Sequence, residues 1–329
     1  MPQLNGQEVG NIGYGLMGLT WRPQPCSEEQ AFEAMRAALK NGNNFWNGGE
    51  FYGTPEYNSS VLLERYFAKF PEDADKVVLS MKGGVNLKNL HPDGSPEGVR
   101  RSLDNIINQL KGRKKVDMFE CARRDKNTPL EVTFGVIQKE YIDTGKVGGI
   151  CLSEVSAATI HEAVKHAKIV GVEVELSLFS TEILTNGVAA ACAQYGIPII
   201  AYSPVGRGML TGQVKTLDDI PHDDMRRHMP RFQPDTFGIN IKLVEQVETL
   251  ARKKGVTPAQ LAIGWTVALS RRPGIPMIIP IPGATTADRV NENAKLVELT
   301  DEEMAEIDAT LAKFEVVGGR YPEGAPVNT

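Results

Sequence analysis

The chain predicts an α/β fold, a (β/α)8 barrel of the TIM type, with an extra C-terminal helix and a long loop after the seventh strand. Three observations point there. Eight short apolar runs read as strands, seven of them separated by helical periods with connections of ordinary length. Runs such as Ile197-Pro-Ile-Ile-Ala201 are apolar throughout, as parallel strands covered on both faces are. The 329 residues suffice for a barrel and no shift in composition marks a linker, so one domain over 1–329 is expected. Eight strand–helix units close without a spare edge, which favours a barrel over a doubly wound sheet.

In order, the first strand lies in 11–18, which carries a literal GxGxxG at Gly13, Gly15 and Gly18. A dinucleotide fingerprint needs a helix opening on those glycines. Here Leu19–Cys26 intervenes and Ser27, with Gln30 as its capping-box partner, starts the helix over 28–41. A strand at 44–47 leads to a helix at 57–70. The strand Lys76–Lys82 ends at Gly83-Gly84, and Ser95-Pro96 opens a helix to Gly112. Strand Val116–Ala122, helix 128–144, strand Val147–Leu152 and a helix after Ser156 follow. Val172–Phe179, a helix at 185–195 and strand Ile197–Tyr202 precede the irregular segment 203–238. Helices at 239–254 and 257–270, strand Met277–Pro280, and helices at 286–295 and 300–313 complete the pattern.

A net charge of −5 and the lack of a basic stripe exclude nucleic acid as the main partner. No apolar run approaches membrane-spanning length, and no secretory signal opens the chain. The four scattered cysteines form no metal-binding pattern, so no metal is expected. The cytoplasm is the default compartment, with the nucleus an open alternative. Oligomeric state is not legible.

In a barrel of this kind chemistry sits at the C-terminal ends of the strands. Those ends carry Asn47 and Tyr52, Lys82, Ala122-Arg123-Arg124, Ser153-Glu154, Glu175, Tyr202-Ser203-Pro204 and Pro282-Gly283. Tyr52 and Lys82 stand out as a pair. A phenol is a usable but weak acid, and an ammonium beside it stabilises the phenolate and lowers its pKa. That pair suits proton delivery to a carbonyl oxygen as a hydride reaches carbon. Taken singly, each residue reads more simply as a rim tyrosine and a surface lysine. At the other end of the sheet, a Gly-containing turn enters a helix bearing Arg289, a pattern suited to phosphate. Alternatively, Arg289 pairs with Glu292 on an exposed face.

Asn47-Gly-Gly-Glu-Phe-Tyr-Gly53, Lys82, Gly145–Ser153, Ala201–Gly212 and 280–293 together resemble, in order, the motifs of the aldo-keto reductases over essentially the whole chain. The resemblance implies a barrel that binds extended NADPH across its strand ends and transfers the pro-R hydride of C4. It implies Tyr52 as acid and Lys82 as its partner. Tyr202 would stack on the nicotinamide and Ser153 would meet the carboxamide, with Glu154 and Glu173 near the usual Asn and Gln. Ser203, Pro204, Val205, Gly206, Gly208 and Leu210 would line the pyrophosphate. Pro282 and Gly283 would lead to Thr285 and Arg289 at the 2′-phosphate, with Glu292 and Asn293 on the adenine. Gly18, Leu19 and Thr20 would touch the cofactor from the first strand. The family's catalytic Asp and His are here Asn47 and Ala122. Asn47 could hydrogen-bond Lys82 but not neutralise it, so Lys82 is expected to favour its neutral form more. Ala122 leaves room for a bulky ring beside Trp21, Phe51 and Arg123, the other expected pocket residues.

The Trp46–Gly53 and Phe119–Arg123 stretches resemble the pyridoxal reductase branch found in fungi, which implies a small-molecule aldehyde, pyridoxal, as substrate. A broad aldehyde or quinone reductase is the alternative within the class. An NADPH-sensing regulatory subunit is the alternative outside it. A barrel enzyme acting on phosphosugars is disfavoured by Tyr52 and Lys82.

Overall fold

The computed structural model describes residues 2–329. Eight parallel strands follow one another round the sheet in chain order: β1 Tyr14–Gly15, β2 Phe45–Gly49, β3 Val78–Gly83, β4 Met118–Cys121, β5 Ile150–Ser153, β6 Ile169–Glu175, β7 Ile199–Tyr202 and β8 Ile278–Pro280. The seam between β8 and β1 closes through Gly13 N to Pro280 O at 2.9 Å, Gly15 N to Pro282 O at 3.3 Å and a parallel bridge from Gly15 to Gly283. A Cβ on Gly15 would stand 2.9 Å from the Ile281 carbonyl oxygen, and one on Gly13 would meet Ile281 and Phe45 at 2.9 Å. Two glycines of the apparent dinucleotide fingerprint therefore let the first and last strands meet.

Each strand sends alternate side chains to opposite faces. Outward, Trp46 packs against Tyr66 and Phe67 of the helix Ser59–Lys69. Inward, Phe45, Val78, Met118, Cys151, Val170, Ile200 and Ile279 form an apolar floor, joined by Leu4 and Val9 from an N-terminal hairpin, Gln3–Leu4 with Gln7–Glu8. One step higher the inward positions turn polar, at Asn47, Ser80 and Glu120, and above them lie Lys82, Glu173 and Glu175. The interior thus changes from apolar to charged along the barrel axis.

Several elements differ from expectation. β2 runs on through Gly48 and Gly49, which place backbone where side chains would collide: a Cβ on Gly49 would lie 3.1 Å from the Tyr52 ring. β6 begins at Ile169 and stops at Glu175, because the chain turns back through a Ser177–Ser180 bridge. A small hairpin, Gly53–Thr54 with Tyr57–Asn58, occupies the start of the expected helix at 57, and Asn58 caps the helix at Ser59. The expected helix 128–144 is a regular Leu130–Val136 followed by a wider π-turn over Ile137–Ile142. The irregular segment after β7 winds through short 3-10 turns and ends at Pro234, earlier than expected, since that proline opens the helix Pro234–Lys254. The extra C-terminal helix is Asp301–Leu311.

Candidate active site

Tyr52, Lys82, Asn47, Glu120 and Glu173 meet inside the upper barrel, all essentially buried. Thr20 Oγ1 donates to the Tyr52 carbonyl at 2.6 Å, and the Trp21 ring stacks on the phenol at 5.4 Å between centroids. Phe51 packs edge-on to both rings. The Lys82 ammonium lies 6.0 Å from the centroid of the Tyr52 ring and 5.4 Å from that of Tyr202.

Lys82 has a carboxylate partner, contrary to expectation. Its Nζ is ion-paired to Glu173 Oε1, and Asn47 Nδ2 donates to Glu173 Oε2 at 2.6 Å and to Glu120 Oε1 at 3.1 Å. Asn47 therefore bridges two carboxyl groups instead of reaching Lys82. Burial alone would lower the ammonium's pKa, but the charge of Glu173 above all holds it above the usual lysine range. The expected drift of Lys82 toward neutrality is thereby reversed. Both oxygens of Glu173 are engaged within the barrel, not left free for a carboxamide. The Tyr52 phenol is pushed up to about 12 by burial, with Lys82 the main force opposing it. The net effect of the site on Tyr52 is thus opposite to the lowering expected from the lysine alone.

Asn47→Asp should be costly here. It removes two donated hydrogen bonds and adds a third carboxyl to a buried pair, about 3 kcal/mol near neutral pH. The added Asp would hold its proton more tightly folded than unfolded, so the deficit should grow as pH rises. Melting curves at pH 5 and pH 8 measure it.

A second charged cluster caps the ends of β5, β6 and β7. Arg320 from the C-terminal tail grips Glu154 with both guanidinium arms, at 3.0 and 2.9 Å, and reaches Glu175 at 3.3 Å. Arg207 binds Glu175 at 2.9 Å. Tyr202 donates to Glu154 Oε1 at 2.9 Å and its hydroxyl lies 2.9 Å from that of Tyr321, whose ring lies under Arg207 at 4.6 Å and Arg123 at 5.5 Å. Burial would raise the Glu154 pKa, but Arg320 holds that carboxyl below the usual range. Arg123 also donates to the carbonyls of Ala122 and Pro326, both at 2.6 Å. Glu154 is therefore a tether for the tail. Glu154, Ser203 and Arg207 all adopt left-handed backbone, at φ of 53°, 52° and 55°, a strain that concentrates at functional sites.

The remaining expected cofactor residues line the rim from β7 round to β1. Ser203, Pro204, Val205, Gly206, Gly208 and Leu210 form the loop after β7, braced by Arg226 Nη1 on the Arg207 carbonyl at 3.1 Å. The side chains of Leu19 and Leu210 are turned into the core instead. Gly18 faces Thr285 across the seam, at 3.6 Å from an added Cβ, close to Pro282 and Gly283. Arg289 lies 3.6 Å from Glu292, the alternative weighed for it, with both side chains partly exposed. Ser153 Oγ and Asn293 Oδ1 are buried without a hydrogen-bond partner.

Sequence reasoning missed Glu120, Arg320 and Tyr321. Glu120 had a signal: an acid inside a short strand, in phase with inward Met118. Arg320 and Tyr321 had none, because a Gly-Gly-Arg-Tyr-Pro tail reads as solvent-exposed chain.

The sequence profile of the Aldo/keto reductase family matches residues 11–312. A probable pyridoxal reductase of Schizosaccharomyces pombe is 44% identical, the alignment covering 98% of this chain and 97% of that one. A putative pyridoxal reductase of Saccharomyces cerevisiae is 40% identical over 94% and 95% of the two chains. Among solved structures, a glycerol dehydrogenase of Gluconobacter oxydans shares the fold at a TM-score of 0.81 and 22% identity, over 96% of each chain. Fold, strand-end chemistry and relatives define a barrel oxidoreductase. The chain belongs to the aldo/keto reductase family.

Proposed function

We propose that this protein is an NADPH-dependent aldehyde reductase and that it reduces pyridoxal reversibly to pyridoxine. The observation that carries the reading is the buried set Tyr52, Lys82, Glu173: an acid and a cation at neighbouring strand ends, with a counter-charge from across the barrel. The substrate rests on the names of the two fungal relatives, with the small side chain of Ala122 and the aromatic walls of Trp21 and Phe51 suited to a flat ring.

The residues fit the cofactor. Two orphaned buried oxygens, Ser153 Oγ and Asn293 Oδ1, stand at opposite ends of the rim, between them the glycine-rich loop after β7. Arg289, loosely held by Glu292, and Thr285 would select the 2′-phosphate, and Tyr202 would face the nicotinamide. Bound NADPH supplies the hydride.

The protein's own part is the proton. Tyr52 Oη protonates the carbonyl oxygen as negative charge builds there. An alkoxide is far more basic than a phenolate, so a phenol pushed up to about 12 still gives its proton to it. The phenolate left behind faces Lys82, which Glu173 keeps charged. Burial disfavours a bare phenolate, so the proton stays on Tyr52 until an alkoxide demands it.

Fluorescence titration with NADPH and NADH, followed by single-turnover mixing with pyridoxal or a simple aromatic aldehyde, tests this. Tighter NADPH binding and faster oxidation by pyridoxal are expected. Equal rates with both aldehydes would make the enzyme a broad reductase. Tight binding without oxidation would make it a sensing subunit.

A further inference from the structure

Glu120 has no role in the reaction as described, yet it occupies the centre of the barrel. β4 directs Met118 and Glu120 inward, so the carboxyl lies one layer above the apolar floor. Its Oε1 accepts from Asn47 at 3.1 Å and from Ser80 Oγ at 3.5 Å, while its Oε2, fully buried, receives no hydrogen bond. A carboxylate in that position would leave a charged oxygen unsolvated. The titratable and charged groups facing it are Lys82 from β3, Tyr52 beyond β2, Cys151 from β5 and Glu173 from β6, with Cys121 its own neighbour. That is one cation for two carboxyl groups in a closed interior.

We propose that Glu120 is a positioning residue, a neutral carboxylic acid beside the Glu173 that pairs with Lys82, and so leaves Lys82 facing a single negative charge. Two carboxyls held by one amide nitrogen beside a single ammonium repel each other's charge, and Glu120, with no cation of its own in contact, is the one that keeps its proton. Burial, then the charge of Glu173, raises the Glu120 pKa well above the ordinary carboxylate range. Asn47 completes the arrangement: its amide donates to both carboxyls, where an Asp would add a third acid. The negative charge paired with Lys82 thus comes from β6, while β2 contributes only a donor. The inference rests on the reading of Tyr52 and Lys82 as the proton-donating pair, but its first two tests need neither cofactor nor substrate.

Infrared spectroscopy of the wild-type protein in D2O should show the carbonyl stretch of a protonated, buried carboxylic acid at neutral pH, and Glu120→Gln should lose it. Stability gives a second reading. A carboxyl whose folded pKa is raised makes the native state bind more protons than the unfolded one, so stability falls as pH rises through that interval. Glu120→Gln lacks this penalty, so its Tm relative to wild type should climb as pH rises from 5 through neutrality. In turnover, the alkaline limb of the kcat profile should move to lower pH in Glu120→Gln, because Glu120, once ionised at alkaline pH, raises the pKa of both Tyr52 and Lys82. An infrared spectrum without the carboxylic acid band, or a Tm difference that is flat above pH 6, would make Glu120 an ordinary carboxylate and overturn the proposal. Absence of aldehyde reduction with the band present would instead count against the functional reading alone. Should Glu120→Gln not fold, infrared titration of the wild type still decides.

Discussion

Tyr52→Phe should lower kcat for aldehyde reduction about a thousandfold, within the range a positioned general acid supplies, while NADPH still binds with near wild-type affinity. The ring is held by stacking on Trp21 and by edge contact with Phe51, neither of which needs the hydroxyl. Thr20 holds the Tyr52 backbone, which the substitution leaves intact. Removing the oxygen therefore deletes the proton without disturbing the wall that carries it. Stopped-flow single turnover separates the two effects: cofactor binding should persist while oxidation of the bound cofactor nearly stops. Turnover within tenfold of wild type would take the role from Tyr52.

Glu173→Gln should produce the largest loss of stability of any single change in the barrel centre, about 3–5 kcal/mol, because it strands the Lys82 ammonium in the interior. The pH dependence has a defined sign. In the wild type Lys82 has a raised folded pKa, so its stabilising contribution is complete below the unfolded lysine pKa and is lost only as pH climbs through the folded value. Without Glu173 the strongest force opposing burial is gone, and the folded pKa falls from its raised value even with Glu120 free to ionise in its place. The variant therefore lacks much of the alkaline loss of stability that the wild type shows. The gap between wild type and Glu173→Gln should accordingly be widest at acid and neutral pH and narrow toward alkaline pH. Chemical denaturation at pH 7 and pH 11, on either side of the unfolded lysine pKa, measures it. A gap that is constant with pH would show that Glu173 and Lys82 are not coupled.

The barrel was legible because its determinants are local. Eight apolar runs and the helical periods between them survive in one dimension, and strand alternation then decides which residues face inward. The position of Tyr52 and Lys82 at neighbouring strand ends follows from that order alone. Element boundaries slipped where a turn competed with the pattern, as when Ser177–Ser180 ended β6 early and the Gly53–Asn58 hairpin delayed the next helix.

What the linear chain determined by itself was therefore the fold, the family and the pairing of a phenol with an ammonium. What only the tertiary structure decided was the charge around that pair. Asn47 looked like the loss of a carboxylate because its replacement, Glu173, lies 126 residues away on a strand four positions round the barrel. Glu120 lies 73 residues from Asn47, and Arg320 lies 166 from Glu154. Pair electrostatics depends on separation in space and on burial, neither of which is written in residue order until the barrel closes.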